Sequence, residues 1–285
     1  MSDIPTIPEM NEEAQKAWPA FSEKFSLGTP EKFYRAMTEG LPRGTELKVN
    51  FDRYGDLNSV NYNFKDGEDR FSFMRDFVGP YVTHLHADVS PGLRGSGIGR
   101  IVNGHLFRLY QKIGIKRIDL YANDLGSYVW ARSGFVPSPE SWAVLQEHVG
   151  RRLDFFEKEA KLPYGCVKAL RAALSSADPK SFWFIVDQQY PCYGAALGKL
   201  LTFPADKLPK EIPWPKPEKR LHFPGLKTKK DIKDIKDVII WGGTADLKDP
   251  ACLHRMIAYL FPEGRVQPFL QSKPSACQPS ARGAS

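Results

Sequence analysis

The residues best suited to chemistry lie between Tyr81 and Gly99, where a predicted strand runs into a glycine-rich turn. Three glycines, Gly95, Gly97 and Gly99, fall within five positions of that turn, and Arg94 precedes them. Apolar residues then recur at helical spacing, so the turn is predicted to begin a helix. Glycine lets backbone N–H groups approach a bound group closely, and a helix start adds unpaired donors and positive dipole. The turn is therefore predicted to bind a phosphate or pyrophosphate.

Three kinds of phosphate-binding loop contain glycines in such a turn. The P-loop requires a lysine after its last glycine, and none follows here. The dinucleotide fingerprint Gly-x-Gly-x-x-Gly fails at Arg100 when it starts at Gly95, and at Val102 when it starts at Gly97. The remaining pattern is an arginine or glutamine, two residues of any type, and then Gly-x-Gly or Gly-x-Ala. Residues 94–99 fit this third pattern.

The run Arg94-Gly-Ser-Gly-Ile-Gly99 resembles the signature Arg/Gln-x-x-Gly-x-Gly/Ala of the GNAT acetyltransferase superfamily. As is usual in that family, a hydrophobic strand precedes the run, and here it ends in Val89-x-Pro91. The resemblance implies that the turn holds the pyrophosphate of acetyl-CoA or of another acyl-CoA.

A second motif of the chain is similar to the second motif of the same family. Asn123 follows a predicted strand, Trp130 comes seven positions later, and Gly134-Phe135 closes the motif. The resemblance covers roughly residues 45 to 137, about a third of the chain. The order of both motifs makes the resemblance more specific than a glycine turn alone.

The resemblance implies a set of cofactor-binding residues for acetyl-CoA. Backbone groups around Val89 would polarise the thioester, and the amides of residues 94–99 would hold the pyrophosphate. Asn123 would bind the pantetheine arm or the nearby backbone, and Trp130 would face the pantetheine end. The implied cofactor-binding residues are Val89, Arg94, Gly95, Ser96, Gly97, Gly99, Asn123 and Trp130.

Direct acyl transfer needs a base that takes a proton from the amine. The family often places a carboxylate where this chain has Thr83, which is no base at neutral pH. His84 and His86 are the candidates next to it, and Glu46 or Asp88 acting through water is an alternative. Both histidines alternate with the apolar face of the strand, which admits a structural role for each. That predicted apolar face consists of Thr83, Leu85, Ala87 and Val89.

An acid that protonates the leaving thiolate is harder to find. Many family members have a tyrosine where this chain has Trp130, and an indole N–H does not release a proton at useful pH. Tyr128 is the other candidate, but two residues along a helix turn it to a different side. Three alternatives stay open: the thiolate leaves without a side-chain acid, an irregular helix places Tyr128, or the protein does not catalyse transfer.

The elements that must position these residues indicate an α/β fold, a GNAT-like mixed sheet flanked by helices, with a mostly helical C-terminal extension. We expect an N-terminal helical lead over 1–29, a GNAT-like domain over 30–140, an extension over 141–270 and a disordered tail over 271–285. Within roughly the first 80 residues we predict helices at 9–25 and 30–40 and strands at 45–51, 59–64 and 71–77. Thr29 and Pro30 are a helix-start signal.

The extension departs from the family pattern. Two further strands are usual after Gly134-Phe135, and we expect helical segments to cover their place instead. The predicted elements are helices at 141–160 and 164–175, an apolar segment at 181–186 that is either a strand or a helix, a short apolar segment at 194–203, a linker at 205–237, a late strand at 238–241 and a final helix from 249 to about 261. No internal repeats are visible.

Composition narrows the functional class. The chain has 285 residues, a formal net charge of +7 and a pI near 9.1. This charge favours phosphate-bearing partners but is modest for a nucleic-acid binder, so we expect no nucleic-acid partner. No apolar run reaches membrane-spanning length, and residues 1–5 lack signal-peptide features. The four cysteines show no C-x-x-C pair and no metal spacing with the six histidines, so we expect no metal and a cytoplasmic location.

Function follows from these expectations. We expect an N-acetyltransferase that moves an acetyl group from acetyl-CoA directly to an amine on a small molecule or a protein. Two rivals stay open, namely a catalytically silent acyl-CoA-binding or scaffold protein on the same fold, and an aminoacyl or fatty-acyl transferase. Release of free CoA in the presence of an amine separates an enzyme from a scaffold.

Overall fold

A computed structural model describes residues 7–123, 126–203, 212 and 240–262. These residues form a mixed eight-stranded sheet, a small separate hairpin and helices. The strands are β1 (Glu9–Met10), β2 (Glu46–Phe51), β3 (Leu57–Asp66), β4 (Asp69–Val78), β5 (Tyr81–Val89), β6 (Arg117–Ala122), β7 (Val136–Pro137), β8 (Pro191–Cys192), β9 (Ala195–Ala196) and β10 (Trp241–Asp246). The helices are α1 (Glu12–Phe25), α2 (Pro30–Thr38), α3 (Ile98–Ile113), α4 (Gly126–Arg132), α5 (Pro139–Ala160), α6 (Tyr164–Leu174), α7 (Ser181–Val186), α8 (Leu197–Thr202) and α9 (Pro250–Leu260).

The sheet order is β1-β2-β3-β4-β5-β6-β10-β7, and β8 pairs only with β9. Strands β2 to β5 form an antiparallel meander, whereas β5 and β6 are parallel. Parallel neighbours need a crossover connection, and α3 supplies it. The predicted α/β class, a mixed sheet flanked by helices, is confirmed.

The core lies between one face of the sheet and α3. The inward side chains of β4 are Phe71, Phe73 and Phe77, each at most 5% exposed. From α3, Val102 and Leu106 pack onto them with no exposed surface. The buried residues of α3 recur at helical spacing, which is why this stretch folds as an amphipathic helix against the sheet.

The N-terminal helices begin at local signals. Asn11 caps α1 by accepting a hydrogen bond from the Ala14 N–H at 2.9 Å. Thr29 accepts from the Lys32 N–H at 3.3 Å, and Pro30 is the first residue of α2. The helix start predicted at Thr29 is therefore confirmed.

The end of the sheet corrects the expectation for the C-terminal part. Strand β7 follows Phe135 directly, and β10 lies between β6 and β7 with antiparallel pairing to both. Gly243 of β10 pairs with Leu120 on one side and with Pro137 on the other. Two strands therefore follow Phe135, where the expectation placed helical segments, and the segment 138–240 separates them along the chain. A boundary at residue 140 divides a single sheet.

The helices of the extension pack beside this sheet. The apolar segment at 181–186, which periodicity leaves undecided, is helix α7, and its buried residues follow helical spacing. Phe182 of α7 contacts Trp241 of β10, with ring centroids 5.8 Å apart. The late strand begins at Trp241, and the predicted linker at 205–237, apart from Ile212, and the tail lie outside the described residues.

Candidate functional site

The two parallel strands at the centre of the sheet separate and leave a wedge. Tyr81 to His84 of β5 pair with Arg117 to Leu120 of β6, and the register stops there. Residues 86–89 stay paired with β4, but none of residues 85–89 has a partner in β6. The backbone groups on that side, apart from the Val89 carbonyl oxygen that accepts from Arg94, are therefore available to a ligand. The carboxyl ends of parallel strands, beside a crossover helix, are a preferred place for ligands in α/β folds.

A β-bulge lies where the wedge opens. On β4, Met74 pairs with His86 and Arg75 pairs with His84, so Leu85 is an extra residue in β5. A bulge bends the strand and changes which side chains face the core. His84 is 8% exposed and faces the core, whereas Leu85 is 53% exposed.

The bulge corrects the predicted apolar face of β5. The prediction placed Thr83, Leu85, Ala87 and Val89 on one face, and both histidines on the other. Before the bulge the inward residues are Val82 and His84 instead, because Thr83 pairs with Asp76 on the polar face. After the bulge Ala87 and Val89 pair with the inward Phe73 and Phe71, as the alternation predicts. The two histidines thus lie on opposite faces.

The glycine turn after β5 has the backbone that its sequence predicts. A short 3₁₀ turn (Pro91–Leu93) leads into Gly95 at φ +84° and Gly97 at φ +89°. Residues with a side chain rarely adopt this left-handed backbone conformation, so glycine is required at both positions. Apart from the adjoining backbone, no heavy atom lies within 4 Å of the position where a Cβ would stand on either residue. The turn therefore borders open space.

Backbone donors line this open space. Gly97 caps α3, and its carbonyl accepts the first helical bonds, from the N–H groups of Arg100 and Ile101 at 2.9 and 3.0 Å. Within the part of the chain that the structure describes, the N–H groups of Gly95, Gly97, Ile98 and Gly99 donate to no protein acceptor. Such unpaired donors at a helix start suit an anion.

The side chains of the turn stabilise its shape. The Arg94 Nε donates to the carbonyl oxygen of Val89 at 3.0 Å, which ties the turn to the end of β5. The Ser96 hydroxyl donates to the Leu93 carbonyl oxygen at 2.6 Å. Neither contact uses the unpaired N–H groups of Gly95, Gly97, Ile98 and Gly99.

His84 lies under the wedge among aromatic rings. Its Nε2 is 3.1 Å from the hydroxyl of Tyr110, and its Nδ1 is buried without a partner in the described residues. Its ring centroid lies 5.3 Å from Trp130 and 5.9 Å from Phe135. Burial, and to a smaller extent the charge of Arg75, lowers the pKa of His84 well below 6.5. A neutral, enclosed imidazole is suited to packing more than to proton transfer with solvent.

Trp130 and Tyr128 lie on different sides of α4. Trp130 packs edge-on against both His84 and Phe135, at 5.3 Å between centroids in each case. The Tyr128 ring contacts Phe203 at 5.5 Å, and its hydroxyl accepts from Arg132 Nη1 at 3.2 Å. The structure therefore does not bring Tyr128 beside His84.

Asn123 lies at the exposed end of β6. Its carbonyl oxygen accepts from the Gly126 N–H at 2.9 Å, which shapes the start of α4. Residues 124 and 125 lie outside the described residues. The position of Asn123 at the carboxyl end of β6 puts it on the opposite side of the wedge from β5.

The polar face of the sheet has a groove beside the same end of β5. Its volume is about 350 Å³, and one row of paired positions crosses it from Glu46 through Asn63 and Ser72 to Asp88. The two carboxylates proposed from sequence as water-assisted bases thus line one groove. The Asp88 carboxylate is 3.8 Å from the Arg70 Nε. His86 is exposed on this face, opposite Met74.

The sequence analysis missed Arg75, which is fully buried beneath the wedge. Its signal is a charged residue at an inward position of β4, in the alternation Phe71, Phe73, Arg75, Phe77. Burial lowers the pKa of Arg75, yet a guanidinium stays charged in proteins. A buried cation in that pattern marks a polar group with a specific partner.

The described residues contain neither a cluster of metal-binding side chains nor a helix that could cross a membrane. No group of three or more His, Cys, Asp or Glu side chains among them is arranged to hold a metal ion. None of the helices in the described ranges is long and apolar enough to cross a membrane.

Comparisons with known proteins were made for both sequence and structure. No protein-family model matches the sequence, and no curated protein matches it. Among solved structures, the chain is similar to a nourseothricin acetyltransferase, with 16% identical residues and a TM-score of 0.26. The match covers 33% of this chain and 69% of that chain. A TM-score this low establishes neither family membership nor a shared activity.

Proposed function

We propose that the protein is an N-acyltransferase that moves the acetyl group of acetyl-CoA to an amine by direct attack. The main support is the wedge between β5 and β6, which opens beside a turn of unpaired N–H groups. An extended chain with a pyrophosphate at one end matches this pairing of an open strand edge with an anion site. Acetyl-CoA has that form, because its pantetheine arm carries amide groups and its nucleotide carries the pyrophosphate.

The residues for the donor follow from that arrangement. The unpaired N–H groups of Gly95, Gly97, Ile98 and Gly99 bind the pyrophosphate at the start of α3, helped by its dipole. The open backbone of residues 85–89 pairs with the amides of the pantetheine arm. Asn123 and Trp130, across the wedge, contact the same arm. The bound donor supplies the activated acyl group.

A base for the amine is available on the polar face. His86 is exposed next to the bulge, where the unpaired backbone begins. We assign it the proton of the attacking amine, because imidazole serves most often as a general base near neutral pH. Asp88 and Glu46, in the groove on the same face, attract a cationic amine or act through water. His84 is assigned a packing role, since it is buried with its Nε2 at Tyr110.

The leaving thiolate has no side-chain acid in this proposal. Trp130 holds the position of the usual tyrosine, and its indole is a donor only. Tyr128 contacts Phe203 and Arg132 instead. A thiol has a moderate pKa near 8.5, so the thiolate leaves as such and takes its proton from solvent.

The lack of a side-chain acid for the thiolate favours a second candidate, a protein that binds acyl-CoA without turnover. An intact donor site with neither a usual acid nor a carboxylate at Thr83 is the pattern expected after loss of catalysis. The two candidates share the donor site and differ only in chemistry.

Two measurements test the proposal. Calorimetry with acetyl-CoA measures donor binding for the wild type and for Gly97→Glu, which adds bulk and negative charge beside the turn. We expect binding by the wild type and none by a folded Gly97→Glu variant. A thiol-reactive dye then measures CoA release with a panel of small amines and amine-bearing peptides.

The outcomes separate the candidates. Amine-dependent release of CoA supports the transferase, and binding without release supports the silent binding protein. If the wild type binds no acetyl-CoA, both assignments are wrong.

A further inference from the structure

Arg75 lies beneath the wedge and contacts one of its walls, β5, as well as the crossover helix α3. Its Nη1 donates to the carbonyl oxygens of Met74 at 2.8 Å and of His86 at 2.6 Å. Its Nη2 donates to the Oδ1 of Asn103 at 3.1 Å. His86 is the first residue of β5 after the bulge, and Asn103 lies on α3. One side chain therefore joins the open strand to the crossover helix.

Asn103 extends this contact to the glycine turn. Its Nδ2 donates to the carbonyl oxygen of Gly99 at 2.7 Å. A continuous series of hydrogen bonds thus runs from His86 through Arg75 and Asn103 to Gly99. Its two ends lie in the open backbone of β5 and in the first turn of α3.

Packing alone does not explain a charge at this position. The neighbouring inward positions of β4 are phenylalanines, so an apolar side chain would fill the layer. Arg75 has no exposed surface, and its hydrogen-bond acceptors are oxygen atoms of Met74, His86, Asn103 and Tyr110. Its guanidinium also lies over the Phe73 ring, 5.5 Å from the centroid. A buried cation bound by neutral groups is costly to the fold. The planar fork of a guanidinium, however, suits several acceptors at fixed angles.

We propose that Arg75 is a positioning residue that holds the open backbone of β5 at a set distance from the phosphate-binding turn. The inference rests on the proposed function, because the strand and the turn are the two halves of the CoA site. CoA spans both halves, whereas ADP carries the pyrophosphate and reaches only the turn. Loss of the link therefore weakens CoA binding and spares ADP binding.

Two variants break the link at different bonds. Arg75→Lys keeps the charge but cannot bind three acceptors in the geometry of the fork. Asn103→Asp keeps an oxygen acceptor for Arg75 and gives it a counter-charge, but removes the donor to Gly99. The second variant guards against simple unfolding, since a buried cation gains a partner.

Calorimetry of CoA and ADP gives the decisive ratio of dissociation constants. We expect the preference for CoA over ADP to fall at least tenfold in both variants, with ADP affinity within about twofold of the wild type. A plain electrostatic effect would change both ligands together and leave the ratio intact. An unchanged ratio in both folded variants overturns the proposal.

Arg152→Lys is the matched control. Arg152 is 1% exposed, lies on α5, and donates to the carbonyl oxygens of Leu200 and Phe203. The same substitution there removes a buried guanidinium bound to backbone oxygens. We expect it to lower stability and to leave the ratio at the wild-type value.

Amide hydrogen exchange tests the link without any ligand. We expect faster exchange at residues 86–89 and 100–103 in Arg75→Lys and Asn103→Asp, and no change there in Arg152→Lys. If the wild type binds neither CoA nor ADP, the proposed function is wrong, and exchange alone decides the link. Unchanged exchange in both variants, or equal acceleration in the control, overturns it.

Discussion

Alanine at Gly97 tests whether the open space beside the turn is a binding site. Gly97 and Gly114 lie at the two ends of α3, with φ of +89° and +77°. At neither residue does any heavy atom outside the adjoining backbone lie within 4 Å of the position of a Cβ. The two positions therefore differ in location and share the same backbone requirement.

The structural cost of alanine should be alike at the two positions. A left-handed conformation costs an L-residue about 1–2 kcal/mol, and no clash adds to it. For a chain of this size, that loss lowers the Tm by roughly 2–6 °C. Both variants should therefore remain folded at 25 °C and lose a similar amount of stability.

The effect on binding should differ. A methyl group at Gly97 stands in the space to which the free N–H groups are open. Displacing an anion from one such donor costs about 1.5–3 kcal/mol, or roughly a tenfold to 150-fold loss of CoA affinity. Gly114→Ala should stay within about twofold of the wild type.

The assay is calorimetry with CoA beside a thermal-unfolding scan of each variant. Equal CoA affinity in the two variants, at equal stability, would refute the assignment, because the turn would then be only a tight connection. A loss of affinity in both variants would show instead that the stability of α3 controls binding.

Three further predictions concern single side chains. Burial lowers the pKa of His148 from 6.5 to about 3, so the unfolded state takes up a proton first as the pH falls. The folding free energy that the neutral His148 contributes is therefore complete above pH 6.5, and about 2 kcal/mol of it is lost between pH 7 and pH 5. The pKa values of His84 and His105 are also lowered, so denaturant titration should show a loss that is smaller by about 2 kcal/mol in His148→Leu than in the wild type; equal losses would contradict it. Trp130→Phe should keep turnover within about threefold, and abolished turnover with normal CoA binding would give the indole N–H a chemical role. At Gly134, where φ is +99° and a Cβ would lie 2.8 Å from the Cys252 carbonyl oxygen, alanine should cost more unfolding free energy than Gly114→Ala does; an equal cost would mean that α9 shifts freely.

Much of the fold was predictable because its signals are local. The Thr29-Pro30 helix start needs no tertiary context, and neither does the alternation of β4. The turn at residues 94–99 is equally local, since Gly95 and Gly97 specify left-handed backbone beside unpaired N–H donors. Short-range chemistry therefore predicts the turn and the helix that it begins.

Strand β10 was harder to place because its partners are distant in sequence. Trp241 pairs with Ala122, more than a hundred positions earlier, and periodicity contains no such information. A local signal did exist in Gly243. A Cβ there would lie 2.6 Å from the Val136 carbonyl oxygen and 2.3 Å from the Trp241 ring. A glycine inside a strand marks such a close approach of a neighbouring backbone.

The bulge at Leu85 shows why the two histidines could not be separated by alternation. A strict period of two places His84 and His86 on one face, and they become alternatives for one role. One extra residue between them sends His84 to Tyr110 in the core and leaves His86 on the polar face. The insertion is visible only in the pairing with β4, where Arg75 takes the inward position opposite His84 and binds the His86 carbonyl oxygen. The residue that the sequence analysis missed is therefore the one bonded to the backbone at the bulge that separates the two histidines.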